Sequence, residues 1–223
     1  MKTTTPSLLE IPINLPRGRH TLSREQVRTS QRTRLLDAFA ELVAEKGYAK
    51  VTIADIVSTG GVAKRTFYDY FADKEACFQA AGEYLAGKIA EAIVIPHNPS
   101  MNLYHRAEAT IRGLLQVLQD HPAYARASFV EVWAAGAQAT RRRLGVTRQL
   151  AQLLASLSQD VTRHQPDASA ITETHALAVI DAVDAYIFRV IYTEGAEHLT
   201  DHIETVAQLA TGFLKADMSR LTP

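Results

Sequence analysis

The chain has 223 residues, 47% of them apolar, with 24 Lys plus Arg balanced by 24 Asp plus Glu. Such a composition excludes wholesale disorder, and zero net charge argues against an indiscriminate polyanion binder. The single cysteine, Cys77, excludes an internal disulfide and a four-cysteine zinc or iron–sulfur site, and fits a reducing compartment.

The N-terminal MKTTTPSLLEIPINLPRGRH lacks the continuous apolar core of a secretory signal. No run of about 18 apolar residues follows it, so a cytoplasmic protein without a membrane span is expected. Charge is unevenly spread, however. Residues 1–34 carry seven cations (Lys2, Arg17, Arg19, Arg24, Arg28, Arg32, Arg34) against two anions (Glu10, Glu25), a local +5 that leaves −5 for the rest. That segregation suggests a cationic contact end on a mildly acidic body, with a merely solvated charge run as the alternative.

Pro6, Pro12 and Pro16 mark residues 1–22 as an extended or mobile basic arm. Ser23-Arg-Glu-Gln26 has the form of a capping box, predicting a helix from there to Lys46 with Gly47 as its stop. Leu35, Leu36, Phe39, Leu42 and Val43 give it one apolar face. Thr52, with Asp55 three residues on, predicts a second, short helix to about Thr59 that buries Ile53, Ile56 and Val57.

Gly60-Gly61 forces a turn, after which Val62 leads into a third short helix through Tyr70. Asp73 is placed to cap a fourth helix from Lys74 towards Ile95, and Pro96 and Pro99 then set a boundary. The expected domains are therefore 23–95 and 96–223. Beyond the boundary the spacing predicts helices over Leu103–Gln119, Ala123–Ala135, Thr140–His164, Ala168–Thr193 and Glu197–Met218, so the whole chain is expected to be all-α.

Two short helices joined by a tight glycine turn, the second with cations outside and aromatics inside, follow the helix-turn-helix plan. In GGVAKRTFYDYF, Val62, Phe67 and Phe71 are expected to anchor the helix while Lys64, Arg65, Thr66 and Tyr68 face outward. Arg65 or Lys64 suits guanine O6 and N7, and Thr66 and Tyr68 suit phosphate oxygens or a thymine methyl.

Residues 34–79 resemble the DNA-binding domain of the TetR family of transcriptional regulators. The resemblance lies in Lys46-Gly47-Tyr48, Thr52, Ile56, Gly61-Val62, Thr66-Phe67-Tyr68, Tyr70-Phe71 and Lys74. It implies a homodimer with an N-terminal helix-turn-helix domain and a larger C-terminal helical domain for dimerisation and a small-molecule inducer. Its partner would be a double-stranded operator.

By the same resemblance Thr52 would meet phosphate, Lys64, Arg65 and Thr66 would enter the major groove, Tyr68 and Tyr70 would approach the backbone, and Lys74 would pair with phosphate. Two positions depart from the family pattern. Ala63 stands where many members have a capping Ser, and Ala54 offers only a methyl group where some members read a base. Arg17 and Arg19 are placed to enter a neighbouring minor groove, with a solubilising arm as the alternative.

For the inducer, Leu103, Tyr104, Tyr124, Phe129, Trp133, His175 and Tyr186 offer aromatic and polar lining suited to a mostly apolar ligand, although each also fits a core role. Ala178, Ala182, Val190, Val206, Ala210, Phe213 and Leu214 on the last two helices suit either a four-helix dimer interface or internal packing; the resemblance favours the interface.

His198 and His202 lie one turn apart, but HLTDH lacks the glutamate of the zinc-protease motif and reads as a solvated helix end. Arg141-Arg-Arg143 reads as a solvated or interdomain ion-pairing run. Cys77 has Lys74 one turn earlier, but a packing role suits it better than a reactive one. The expected function is thus a DNA-binding repressor released by a ligand, with no catalysis, metal or cofactor. A helical small-molecule enzyme and a partner-binding adaptor that no longer reads DNA are the alternatives.

Overall fold

In a computed structural model that describes residues 23–92, 103–164 and 171–215, the first helix, α1 (Arg24–Lys46), begins with the capping box. The Gln26 amide donates to Ser23 Oγ at 3.1 Å, and the Ser23 amide donates back to Gln26 Oε1 at 2.8 Å. The next helix, α2 (Ile53–Thr59), repeats the device with Thr52 and Asp55. It is followed by α3 (Lys64–Tyr68) and α4 (Lys74–Ala92), where Asp73 Oδ1 accepts the Ala76 amide at 2.8 Å.

The later helices are α5 (Leu103–Asp120), α6 (Pro122–Phe129), α7 (Ala137–His164), α8 (Glu173–Thr193) and α9 (Ile203–Lys215). Short 3-10 turns occupy Tyr48–Lys50, Glu131–Trp133 and Ala196–His202. No strand occurs among the described residues.

Packing divides the chain into two compact units, Met1–Ala81 and Gly82–Pro223. The division falls inside α4, whereas the sequence reading put its boundary at the PHNPS segment, which lies outside the described residues. In the first unit the inner face of α1 supplies Leu35, Leu36, Phe39 and Val43, all at most 1% exposed, and Ile56 and Phe67 complete the core at 0%. Phe39, Tyr48 and Phe78 meet edge to face, with ring centroids 5.3 to 6.4 Å apart. Of the three apolar residues expected to bury in α2, only Ile56 does; Ile53 and Val57 are half-buried, because seven residues offer one inward position.

In the second unit α5 packs on α9, and α8 packs on α7, α9 and the Ala196–His202 turn. Ala151, Ala155 and Ala176 form the close seam between α7 and α8, flanked by Leu154, Leu177 and Ile180. Two expected long helices are each divided. Residues 123–135 give α6 and a 3-10 turn, and the segment from Glu197 gives a 3-10 turn before α9. The helix placed from Thr140 starts earlier, at Ala137.

Asp55 carries a prediction about acid stability. Its carboxylate accepts from Lys46 Nζ at 2.8 Å and from the Thr52 amide and hydroxyl at 2.9 and 2.8 Å. These bonds, the Lys46 bond foremost, hold its pKa down at about 2 from an ordinary value of 3.8. A depressed carboxylate stabilises the fold above its unfolded pKa and loses that contribution as pH falls through its folded one. Acid unfolding followed by circular dichroism should therefore steepen between about pH 4 and pH 2, and Asp55→Asn should flatten that limb. Superimposable limbs would assign the titration to another group.

Candidate functional site

The turn between α2 and α3 depends on two glycines for different reasons. A Cβ on Gly60 would sit 3.1 Å from the Ile56 carbonyl oxygen and 3.3 Å from that of Arg34, so α1 can approach only a bare backbone there. Gly61 has φ +60°, a left-handed conformation that costs other residues about 1 kcal/mol or more. The Val62 amide closes the turn on the Val57 oxygen at 3.1 Å.

Ala63 then begins α3 with no side-chain cap, as its residue type requires. One side of α3 is spent on Phe67, which is wholly buried with its ring centroid 5.5 Å from those of Tyr68 and Phe71. The other side presents Lys64 and Arg65 to solvent, with Tyr68 51% exposed and Thr66 half-buried. Val62 is only half-buried, so Phe67 and Phe71 do most of the anchoring.

The helix ends at Tyr68 rather than Tyr70. Tyr70 is drawn to α1, where its hydroxyl donates to Gln31 Oε1 at 3.0 Å and the Arg28 guanidinium lies 5.6 Å from its ring centroid. Burial raises the Tyr70 pKa, with Arg28 opposing. Arg32 lies 5.8 Å from the centre of the Phe71 ring. Arg28 and Arg32 thus join the surface around Tyr70, although the sequence reading gave them no individual role. Their four-residue spacing on α1, continued from Arg24, was the available signal.

Thr52 is exposed, with its hydroxyl committed to Asp55 as both acceptor and donor. Lys74 departs from its expected role. Its ammonium donates to the Tyr48 and Val51 carbonyls, both at 3.0 Å, and lies 4.2 Å from the Tyr48 ring centroid. Burial lowers its pKa. The side chain ties the start of α4 to the turn after α1 instead of reaching outward. Lys74→Met should therefore lower stability by about 1 kcal/mol and leave the salt slope of DNA binding unchanged. A slope reduced by about one counterion would restore a phosphate contact.

Arg17 and Arg19 lie outside the described residues. Cys77 is buried, and burial pushes its thiol up to about 12 despite the small opposing influence of Arg32, so it is a packed, protonated side chain. Among the described residues no group of three His, Cys, Asp or Glu side chains is arranged to hold a metal ion.

In the second unit Tyr124 and Phe129 are buried on α6, and Tyr124 packs with Tyr84 and His121 at ring-centroid distances of 5.0 and 6.2 Å. His175 sits in the first turn of α8, where its amide meets the Thr172 hydroxyl. Trp133 is 53% exposed. Leu103 and Tyr104 begin α5, but their side chains lie outside the described residues. The expected lining residues are thus spread over several elements, and only Tyr124 and Phe129 share a helix and full burial.

Tyr186 is held by His202, its hydroxyl 2.9 Å from Nδ1, while the His202 Nε2 meets Glu194 at 3.2 Å. This corrects the reading of His202 as a solvated helix end: it clamps the turn before α9 to α8. His198 instead pairs with Asp201 at the surface. Arg143 forms a part-buried ion pair with Asp184 on α8, and its guanidinium lies 4.6 Å from the Phe129 ring centroid. Its role is between helices of one unit, while Arg141 and Arg142 are exposed. Burial raises the Asp184 pKa, against the lowering influence of Arg143.

The residues expected at a dimer interface part company. Val190 and Val206 are 0% exposed and Ala210 is 7% exposed, so the chain's own core occupies them. Ala182 is half-buried and Ala178 exposed; the side chains of Phe213 and Leu214 lie outside the described residues. The outward face of α8 carries Phe188 stacked on Tyr192, the latter 63% exposed.

Residues 35–81 match the family model of bacterial regulatory proteins, tetR family. Among curated proteins the chain is similar to YxbF of Bacillus subtilis, an uncharacterized HTH-type transcriptional regulator, at 33% identity over 102 residues. That match covers 45% of this chain and 26% of YxbF. A second regulator of the same description, YvdT, is 44% identical over 52 residues, 23% of this chain and 27% of its own. The chain thus spans about a quarter of the length of these curated relatives.

Among solved structures, the fatty acid degradation regulator FadR from Bacillus halodurans superimposes with a TM-score of 0.70 at 18% identity, covering 83% of this chain and 96% of that one. The Bacillus subtilis FadR in complex with stearoyl-CoA gives 0.64 at 17%, covering 81% and 98%. A tetR-family regulator from Syntrophomonas wolfei gives 0.66 at 21%, covering 85% and 99%. At these identities the agreement is one of fold.

Proposed function

Because the chain belongs to the TetR family of bacterial regulators, we propose that it is a DNA-binding transcriptional repressor released from a palindromic operator by a small, mostly apolar ligand. The observation that carries this reading is the division of α3: Phe67 is wholly buried while Lys64, Arg65 and Tyr68 stand in solvent on the same five-residue helix. A buried aromatic fixes the helix, and the residues it leaves outside suit a major groove.

Arg65 and Lys64 would read base edges; Thr66, Tyr68 and the N-terminal end of α2 at Thr52 would meet phosphates. Tyr70 and Arg28 would flank the backbone contact, and Arg17 and Arg19 would enter the adjoining minor groove. Two copies of α3 in a cytoplasmic homodimer would sit about one duplex turn, roughly 34–36 Å, apart. The support for a dimer is the outward face of α8, where Ala178 and the Phe188–Tyr192 stack leave apolar surface exposed.

Release would follow from population shift. A ligand bound in the second unit would favour a subunit arrangement in which the two α3 helices no longer match successive grooves. The likeness in fold to a regulator solved with stearoyl-CoA supports a ligand with a long apolar part, and no chemical step is needed. Selection from random duplexes tests the reading. Enriched sequences should contain two inverted half-sites about one turn apart, whereas enrichment without a shared motif would defeat it.

A further inference from the structure

We infer that Arg34 of α1 holds a DNA backbone phosphate at the α2–α3 turn, so that α1 as well as α3 fixes the position of the reading helix on the duplex. The inference rests on the regulator reading above and adds one residue to its contact surface.

Gly61 is exposed, and beyond its chain neighbours the atom nearest to where its Cβ would stand is Arg34 Nη1, at 3.7 Å, with no other within 4 Å. The end of the guanidinium therefore shares the open surface of the glycine turn. The Arg34 carbonyl oxygen lies 3.3 Å from the place of a Gly60 Cβ, so the backbone of α1 is fixed against the same turn. Of the three guanidinium nitrogens only Nε is buried. The side chain is thus held with its inner nitrogen covered and its two outer ones reachable from solvent.

The other half-buried cations of this unit are matched: Lys46 by the Asp55 carboxylate, Lys74 by the Tyr48 and Val51 carbonyls, and Arg32 by the Phe71 ring. Arg34 has no hydrogen-bonding or ion-pairing partner among the described residues. A partly covered charge without a partner is costly, and folded proteins pair such groups. Lys64 and Arg65 stand exposed within four residues of Gly61, so the surroundings are cationic and suit an anion. The anion that the proposed function brings to this face is a phosphate. Its oxygens accept from the terminal N–H groups of a guanidinium with the assistance of charge, and such a contact positions the protein without reading sequence.

The test compares the full chain with Arg34→Gln and Arg34→Met on the duplex enriched by selection and on a scrambled duplex of equal length and composition, over a series of salt concentrations. Both variants should bind the enriched duplex about tenfold more weakly at physiological salt, with a salt slope reduced by about 0.9 per subunit and base preference unchanged at every position. Neutral methylphosphonates placed one at a time along the duplex locate the contact. One position in each half-site should weaken binding by the unmodified chain and leave Arg34→Gln indifferent. Neither variant should melt lower than the unmodified chain, because the buried Nε has no partner to lose.

An unchanged salt slope in both variants would overturn the inference, as would methylphosphonate effects that persist at every position in Arg34→Gln. Lower melting temperatures with an unchanged slope would make Arg34 a structural counter-charge to the carbonyl end of α2, and altered base preference would make it a base reader; either result also overturns it. The regulator reading is tested separately by the unmodified chain. If that chain binds the enriched and scrambled duplexes alike, the reading falls and this inference with it, whereas a retained preference with an unchanged slope in the variants defeats the inference alone.

Discussion

Arg65→Ala is expected to weaken operator binding by about 1–3 kcal/mol and to flatten discrimination at one base-pair position in each half-site. Arg65 is exposed on α3, so its removal leaves no cavity, and the melting temperature should hold. Competition binding against operators substituted one position at a time separates the possibilities. Loss of affinity with relaxed preference identifies a base reader. Uniform loss across all substituted operators would make Arg65 a phosphate contact.

Phe67→Ala should remove DNA binding by a different route. The ring is wholly buried and packs against Tyr68 and Phe71. Truncating a buried aromatic of this kind costs about 3–5 kcal/mol, a large share of the stability of so small a core. Thermal melting should show the first unit's transition shifted far down or lost. If Phe67→Ala melted like the unmodified chain yet failed to bind DNA, the ring would be part of the contact surface and not its support. Two residues apart on a five-residue helix, Arg65 and Phe67 should thus fail for opposite reasons.

Where structure is decided by neighbours in sequence, the sequence predicts it. Ser23 with Gln26, Thr52 with Asp55 and Asp73 with the Ala76 amide all act across three residues, and all three helix starts fall where those pairs put them. The two glycines of the α2–α3 turn are legible for the same reason. The length of α3 is not, because its end depends on Gln31 and Arg28 drawing Tyr70 towards α1 across some forty residues.

The same distinction explains the residues that changed role. Lys74 looks like a phosphate contact by position, yet its partners are carbonyls of the Tyr48–Val51 turn, more than twenty residues away. His202 belongs with Tyr186 and Glu194, which HLTDH does not contain. On α8 and α9, small and apolar residues cover more than one face, so periodicity alone does not tell inward from outward. Val190 and Val206 proved inward, and Ala178 outward.

The decisive measurement is the affinity of the full chain for DNA upstream of its own gene against a scrambled duplex of equal length and composition, at physiological salt. A specific regulator should prefer one duplex by about a thousandfold or more. Equal affinity for the two, with the same salt slope, would contradict it.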